Sequence, residues 1–197
     1  MKNIIFGLVI TTIVMASCNN ANNTSADKQD KKSDTAQPAI SNADSTKITG
    51  TASTVSIKEI MDKYLEMKNA FAKDNDKDAA TAGNAMVKTF ADFNTASLNA
   101  EQAKIYNDIQ DDAKEHAEHI GANAGNIKHQ REHFDMLSKD MYQLAKTFGA
   151  GKALYYDHCP MYNDGKGANW LSETKEISNP YLGKSMPTCG TVKEEVK

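Results

Sequence analysis

The chain has 197 residues, of which 40% are hydrophobic and 25% are charged. Its 23 Lys and Arg residues and 26 Asp and Glu residues give a formal net charge of -3, so the strong basic excess of a typical nucleic-acid-binding protein is absent. The hydrophobic fraction lies below the globular norm of roughly 45–50%, so we expect part of the chain to stay unpacked. Three cysteines are too few for a disulfide-dense small scaffold.

Residues 1–17 have the layout of a secretory signal peptide. Lys2 supplies the positive charge, and the apolar run that follows is shorter than the about 20 residues needed to span a bilayer. The Met-Ala-Ser-Cys sequence ending at Cys18 resembles the lipobox of bacterial lipoproteins, whose cysteine is acylated after cleavage. We therefore predict a lipid anchor at Cys18 and a place in the cell envelope, in the outer membrane facing the periplasm. The alternative is an ordinary signal peptide with an incidental cysteine.

Residues 18–55 are predicted to be a lipidated, disordered tether. Asn, Ser, Thr, Asp, Lys and Ala dominate this stretch, and it contains no aromatic residue. Such a composition cannot bury enough apolar surface to offset the entropy lost on ordering. A relaxed chain of this length reaches roughly 35 Å, which would let a folded domain move away from the membrane.

Residues 56–151 have the apolar periodicity of amphipathic helices. The first predicted helix begins at Ser56, and the second covers 77–94. The third runs from Asn99 to Gly121, and the fourth covers 125–148. Ser56 and Glu59 are expected to form a capping box, and Lys68 is the one polar residue on the apolar stripe of the first helix. Short connections between the helices predict an up-down four-helix bundle in a mainly α protein.

Residues 152–197 are rich in Gly, Pro, Asn and Tyr and have no sustained period. We expect a loop-rich segment with little strand, limited to a short strand at about 153–156, that packs on the bundle. A segment with so little regular structure needs tertiary packing, a disulfide or a metal to order it.

Two sulfur-bearing blocks mark this C-terminal segment. Cys159 and Met161 flank a proline, Met186 and Cys189 enclose Pro-Thr, and His158 adjoins the first block. Thiolate and thioether ligands together select a soft ion such as Cu(I). We therefore consider a copper(I) or silver(I) site built from these four sulfurs, with His158 as an added ligand. Zinc fits less well because it leaves the methionines unexplained.

The same two cysteines also suit a disulfide, since the predicted compartment is oxidising. A Cys159–Cys189 bridge would close a loop of about 31 residues and contribute roughly 3.5–4 kcal/mol in the chain-entropy model. Isolated free thiols are a third alternative. The residues alone leave the three alternatives open, and a disulfide and a metal site can be two redox states of one pair.

Four of the five histidines lie towards one end of the predicted bundle. His116 and His119 are on the third helix, and His129 and His133 are on the fourth. Spacings of three and four place each pair on one helix face, so the four imidazoles could meet near the 121–125 turn and bind copper or zinc. Such a site should weaken as pH falls through about 6.5. The alternative is that they are ordinary surface histidines.

The C-terminal motif resembles a known family. The run CPMYNDGKGANWLSETKEISNPYLGKSMPTCG, with HQREHF earlier in the chain, is similar to the series typical of the domain of unknown function 3347. The resemblance extends over about 56–192, and one departure is Asn169 where an apolar residue is expected. It implies a small envelope lipoprotein, because family members have this form, and similar domains are attached to adaptor subunits of copper and silver efflux pumps.

The resemblance and the sulfur pattern together predict a non-enzymatic, membrane-anchored protein that binds Cu(I) or Ag(I). Its expected task is sequestration or delivery to a metal efflux adaptor. No nucleophile elbow, phosphate-binding loop or zincin motif argues for an enzyme. The alternative is an interaction lipoprotein with a structural disulfide, in which Trp170, Tyr162 and Tyr181 form a docking surface.

Overall fold

Four long α-helices form an up-down bundle in the computed structural model, which describes residues 56–197. Each helix packs against the next one along the chain. The helices are α1 (Lys58–Ala72), α2 (Asp76–Asp92), α3 (Ala100–Ala122) and α4 (Ile127–Phe148). The predicted signal peptide, the tether and the lipidation site at Cys18 lie outside the described residues. None of the helices within 56–197 combines the length and the apolar character needed to cross a bilayer.

Asparagine side chains cap three of the four helices. The Asn99 side chain accepts a hydrogen bond from the backbone N–H of Gln102, and the Gln102 side chain accepts one from the backbone N–H of Asn99, which completes a capping box for α3. The capping box expected at Ser56 and Glu59 is wrong. The α1 helix begins at Lys58 with Ile57 at the cap position, one residue after Ser56, so the Ser56 hydroxyl only accepts from the Lys58 N–H and Glu59 makes no return bond.

The fold class predicted for the chain is confirmed, and its C-terminal segment contains more strand than expected. The strands β1 (Leu154–Cys159), β2 (Ala168–Ser172) and β3 (Thr191–Val196) form an antiparallel sheet in the order β2-β1-β3. Only the start of β1 was predicted. The β2 strand is short and has no alternating apolar pattern, and β3 pairs with β1 from more than thirty positions away, so local periodicity carries little signal for either.

The sheet packs on the bundle through β2, which lies against α4 and α1. The Tyr64 hydroxyl on α1 accepts a hydrogen bond from the Leu171 N–H of β2 and lies 2.9 Å from the Ser138 hydroxyl on α4. The Tyr64 ring also stacks on Phe134 with 5.1 Å between ring centroids. One tyrosine therefore joins α1, α4 and the sheet in the core.

The single polar residue on the α1 stripe has a partner across the domain. Lys68 is 1% exposed, and its Nζ lies 2.9 Å from an oxygen of Glu173, just beyond β2. Asn69 donates a further hydrogen bond to the same carboxylate at 2.7 Å. Because a buried ammonium is stable only when it is paired, this contact explains a lysine in an apolar stripe.

Asp157 on β1 is a fully buried carboxylate for which the described residues supply no hydrogen-bond partner. Burial raises the pKa of Asp157 to about 7, and Lys68 opposes the rise in part. The folded state therefore holds a proton more tightly than the unfolded state does. The contribution of Asp157 to the free energy of unfolding is therefore most favourable below about pH 4, where the carboxyl is protonated in both states. That contribution is lost as pH rises to about 7, because the buried carboxyl must then lose its proton.

Replacing this carboxylate with an amide should remove that loss. We expect Asp157→Asn to increase the free energy of unfolding by about 2–3 kcal/mol at pH 8 and by much less at pH 5. Urea unfolding of both proteins at the two pH values measures the difference. An equal pH dependence in the wild type and the variant would show that Asp157 is not the group that titrates.

Candidate metal centre

Four histidines meet on the surface where α3 and α4 lie against each other. His116 and His119 are on α3, and His129 and His133 are on α4. Residues three or four positions apart share one face of a helix, so each pair projects from a single face. The two faces meet beside the connection at 123–126. The structure thus brings together all four imidazoles of the second metal site considered from the sequence.

The ring nitrogens approach the spacing of metal ligands. The Nδ1 atoms of His116 and His133 are 3.2 Å apart. One ring nitrogen each of His119, His129 and His133 lies within 4.8 Å of the other two. Ligands held at 2.0–2.1 Å in a tetrahedron lie about 3.3 Å from one another, so the first pair has this spacing. The rings of His119 and His133 are stacked, so at least one of them has to turn before both lone pairs can meet one ion.

The packing of the cluster favours neutral imidazoles. Burial lowers the pKa of His133 to about 4, with additional repulsion from the three neighbouring histidines. Burial also lowers the pKa of His116. The rings of His119 and His133 stack with 4.2 Å between centroids, so two positive charges here would repel. Neutral imidazoles keep the lone pairs that metal ligation requires.

Two glutamates flank the cluster. A carboxylate oxygen of Glu115 lies 3.8 Å from His119 Nε2, and one of Glu132 lies 3.5 Å from His129 Nδ1. Carboxylates beside ligating histidines fix the tautomer and the ring orientation in many metal sites. They also place negative charge next to the position that a cation would take.

The two cysteines of the C-terminal segment lie together. The Sγ atoms of Cys159 and Cys189 are 2.6 Å apart. Cys159 is fully buried at the end of β1, whereas Cys189 is partly exposed. Burial and the neighbouring thiol raise the pKa of Cys189. A movement of about half an ångström would bring the sulfurs to the disulfide bond length of about 2.05 Å.

The two sulfur-bearing blocks meet at Cys189, but their thioethers remain on the surface. The backbone N–H of Met161 donates to Cys189 Sγ, and the Cys189 N–H donates to the Met186 carbonyl at 3.2 Å. The side chains of Met161 and Met186 are 59% and 42% exposed. The thiols therefore contact each other, and the site of four sulfurs stays a prediction.

His158 is engaged elsewhere. It follows Asp157 and precedes Cys159 on β1, so its side chain points to the opposite face of the strand from both. Its Nδ1 lies 2.9 Å from the side-chain oxygen of Asn169, its cross-strand neighbour on β2. Among residues 56–197, no group of three close ligands contains His158 together with the two thiols.

The expected aromatic docking surface is wrong for two of its three residues. Trp170 is fully buried, and Tyr181 is 2% exposed. The Tyr181 hydroxyl donates to the Asn169 carbonyl and lies 3.3 Å from the Ser138 hydroxyl, and its ring packs on Tyr162. Trp170 and Tyr181 are therefore buried in the core and are not available to a partner.

A family comparison covers the four helices. The family model described as Protein of unknown function (DUF3347) matches residues 60–153. The four-helix part of the chain, residues 60–153, belongs to this family. The DUF3347 match includes all four clustered histidines and ends before Cys159, so it is shorter than the resemblance expected over 56–192. No curated protein and no solved structure matches the chain.

Sequence reasoning missed several residues near these groups. Asp157 is hidden in a strand whose burial could not be predicted, and the carboxylates of Glu115 and Glu132 were given no part in the metal site. Met136 also went unnoticed, although it follows His133 by three positions on α4. A signal for Met136 existed in that spacing, because a residue three positions on lies on the same side of a helix.

Proposed function

We propose that this protein binds a heavy-metal ion in the cell envelope, for sequestration or for delivery to a metal efflux adaptor. The observation that carries the proposal is the convergence of four imidazoles between α3 and α4. Neutral imidazole is a good ligand for copper and zinc. Anchoring through Cys18 would keep the domain at the membrane, and the tether would give it reach.

The proposal includes the sulfur-bearing segment as a site for Cu(I) or Ag(I). What supports it is the meeting of the two blocks at Cys189, where a thiol, a partner thiol and two exposed methionines lie close together. Thiolates and thioethers prefer monovalent copper and silver, whereas the histidine cluster prefers divalent copper or zinc. If the metal is copper, the sulfur site would hold Cu(I) and the histidine cluster would hold Cu(II).

The deciding experiment is a titration of the full chain with Zn(II) and with Cu(II) in competition with a chelator of known affinity. We expect one ion to be retained per molecule at pH 7.5, with shifts confined to the histidine ring resonances in NMR spectra. A protein that gives up both ions to a weak chelator would contradict the proposed function at this site.

The sulfur site has its own test, which uses reduced protein with Cys18→Ala to leave two cysteines. Cu(I) affinity should fall by more than about tenfold in Cys159→Ser and in Cys189→Ser, because thiolate is the strongest ligand present. Met161→Leu and Met186→Leu should each reduce it by a smaller factor. Unchanged affinity in all four variants would exclude the sulfurs as ligands.

A second candidate function is favoured by the short distance between the two thiols. In this case Cys159 and Cys189 form a structural disulfide, and the protein is an interaction lipoprotein that takes up no metal. Mass spectrometry of protein isolated from its native compartment separates the two, because it counts free thiols and bound metal in the same sample. A disulfide with no metal at the histidines would support this candidate.

A further inference from the structure

The four clustered histidines are not placed equally. The ring nitrogens of His119, His129 and His133 form a group in which each ligand atom lies within 4.8 Å of the other two. His116 is not a member of that group and is joined to the cluster through His133, with the two Nδ1 atoms 3.2 Å apart. This spacing suits two ligands of one ion, but it also suits a hydrogen bond between imidazoles. The hydrogen bond is favoured, because the other three rings approach one another and His116 takes no part in that approach.

The hydrogen bond between His116 and His133 determines which nitrogen of His133 can bind an ion. A neutral imidazole donates through one ring nitrogen and keeps its lone pair on the other. For His133 to be a ligand, its Nδ1–H must donate to His116, and the free lone pair is then on Nε2. His116 accepts this bond and so fixes the orientation of the His133 ring, as a carbonyl or a carboxylate does beside many ligating histidines.

The other two members of the group each have a carboxylate near one ring nitrogen. Glu132 lies 3.5 Å from Nδ1 of His129, and Glu115 lies 3.8 Å from Nε2 of His119. A nearby carboxylate favours the tautomer whose N–H faces it, which leaves the lone pair on the opposite nitrogen for an ion. Each of the three rings therefore has its own supporting group, and His116 does for His133 what a glutamate does for each of the others.

Three histidine ligands leave one position of a tetrahedral ion for a further ligand. The solvent-facing side of the group consists of His119 and His129, whose side chains are 44% and 35% exposed. A cleft of about 170 Å³ lies beside His119, where Glu115, Glu118 and Ala122 also line it. A ligand from outside the chain can therefore reach an ion held by these rings.

The charges around the group select the kind of ligand that fits the fourth position. Glu118 has Lys114 at 4.0 Å, whereas neither Glu115 nor Glu132 forms an ion pair with a lysine or an arginine of residues 56–197. Three neutral imidazoles leave the charge of a divalent ion unchanged, and the two unpaired carboxylates balance it. The same carboxylates would repel an incoming anion, so a neutral donor is favoured.

We propose that His119, His129 and His133 hold a divalent ion whose fourth position takes a neutral nitrogen donor from outside the chain. His116 positions His133 and does not bind the ion. A histidine of a partner protein supplies such a donor, and its imidazole prefers the same divalent ions. The inference rests on the proposed function, and it adds the ligand set and a route by which the ion can be transferred, namely exchange at the fourth position.

Co(II) is the probe for the fourth position, because its visible absorption changes with the number and type of its ligands. The full chain carries Cys18→Ala, and its other two cysteines are first oxidised so that no thiolate binds the probe. We expect imidazole to change the spectrum of the Co(II)-loaded protein in a saturable way and azide to leave it unchanged at equal concentration. Dialysis verifies that Co(II) stays bound. A spectrum that responds to neither ligand, or equally to both, would overturn the inference.

Variants of His116 and His129 distinguish a positioning residue from a ligand. We expect His129→Ala to lower Zn(II) affinity by more than about 100-fold, because it removes a ligand, and His116→Ala to lower it by only about tenfold. His116→Gln should recover most of that loss, because its side-chain oxygen can accept the His133 N–H. The Co(II) spectrum should still respond to imidazole in both His116 variants. Circular dichroism verifies that the helices of each variant are intact.

Equal losses in His116→Ala and His129→Ala, without recovery in His116→Gln, would make His116 a fourth ligand and would also overturn the inference. The proposed function would stand in that case, since the ion would still be bound. Failure of the wild type to retain either Zn(II) or Co(II) would instead contradict the proposed function at this site.

Discussion

Replacing His133 with alanine should lower the affinity for Zn(II) by more than about 100-fold. His133 is the common member of the cluster, because its ring contacts those of His116, His119 and His129. Loss of a residue that only supports a metal ligand typically costs 10–100-fold in affinity, so loss of a direct ligand should exceed that range. Competition titrations with a chromogenic chelator measure the change.

His158→Ala provides the matched control for this prediction. It removes the only histidine outside the cluster, whose ring is held by Asn169 on the sheet. We expect Zn(II) affinity to stay within about twofold of the wild-type value, well under one tenfold step of binding energy. Equal losses in His133→Ala and His158→Ala would point to non-specific binding by histidine and would contradict a centre between α3 and α4.

The pH dependence of Zn(II) binding should also reveal which imidazoles are involved. The lowered pKa values of His116 and His133 mean that both stay neutral at pH values where an ordinary histidine, with a pKa near 6.5, is protonated. Protons compete with metal for these lone pairs only in more acidic solution. We therefore expect Zn(II) retention to persist below pH 6.5 and to be lost as pH approaches about 4, the pKa of His133.

Oxidation of Cys159 and Cys189 to a disulfide should raise the free energy of unfolding by about 3–4 kcal/mol. The two thiols are thirty positions apart in sequence and 2.6 Å apart in space, so the bond would close a long loop with little movement. That loop contains β2 and the segment up to Cys189, which has few regular backbone hydrogen bonds. Urea unfolding of oxidised and reduced protein gives the difference directly.

Cys189→Ser is the better variant for this comparison. Cys189 is partly exposed, so serine there adds no fully buried hydroxyl, whereas Cys159→Ser would place one in the core. We expect Cys189→Ser to match the reduced wild type in stability under both redox conditions. If the oxidised wild type were no more stable than the variant, the disulfide would not stabilise the fold. That result would favour a role of the two thiols as metal ligands.

The two predictions bear on function in different ways. The histidine experiments ask whether the bundle holds a divalent ion, and the disulfide experiment asks whether the thiols are free to hold a monovalent one. Thiols locked in a stable disulfide would leave the histidine cluster as the candidate site for a metal ion. Free thiols would restore the site of four sulfurs that the spacing of the two blocks predicts.

Local rules of sequence determined the helical part of this protein. Apolar residues at three- and four-residue spacing predicted four helices within a few residues of their ends, because that spacing follows from the helical repeat itself. The Asn99 and Gln102 pair marked the start of α3 for the same reason, since a cap needs only neighbours in sequence. Each histidine pair was likewise assigned to one helix face from its spacing.

Only the tertiary structure decided how these parts meet. The rotation of α3 against α4 brings four imidazoles together, and the route of the C-terminal segment places Cys189 beside Cys159 and Met161. Lys68 finds Glu173 in the same way, across more than a hundred positions. These contacts join residues far apart in the chain, and packing of the whole core fixes them. Local periodicity describes one helix at a time and therefore carries no information about them.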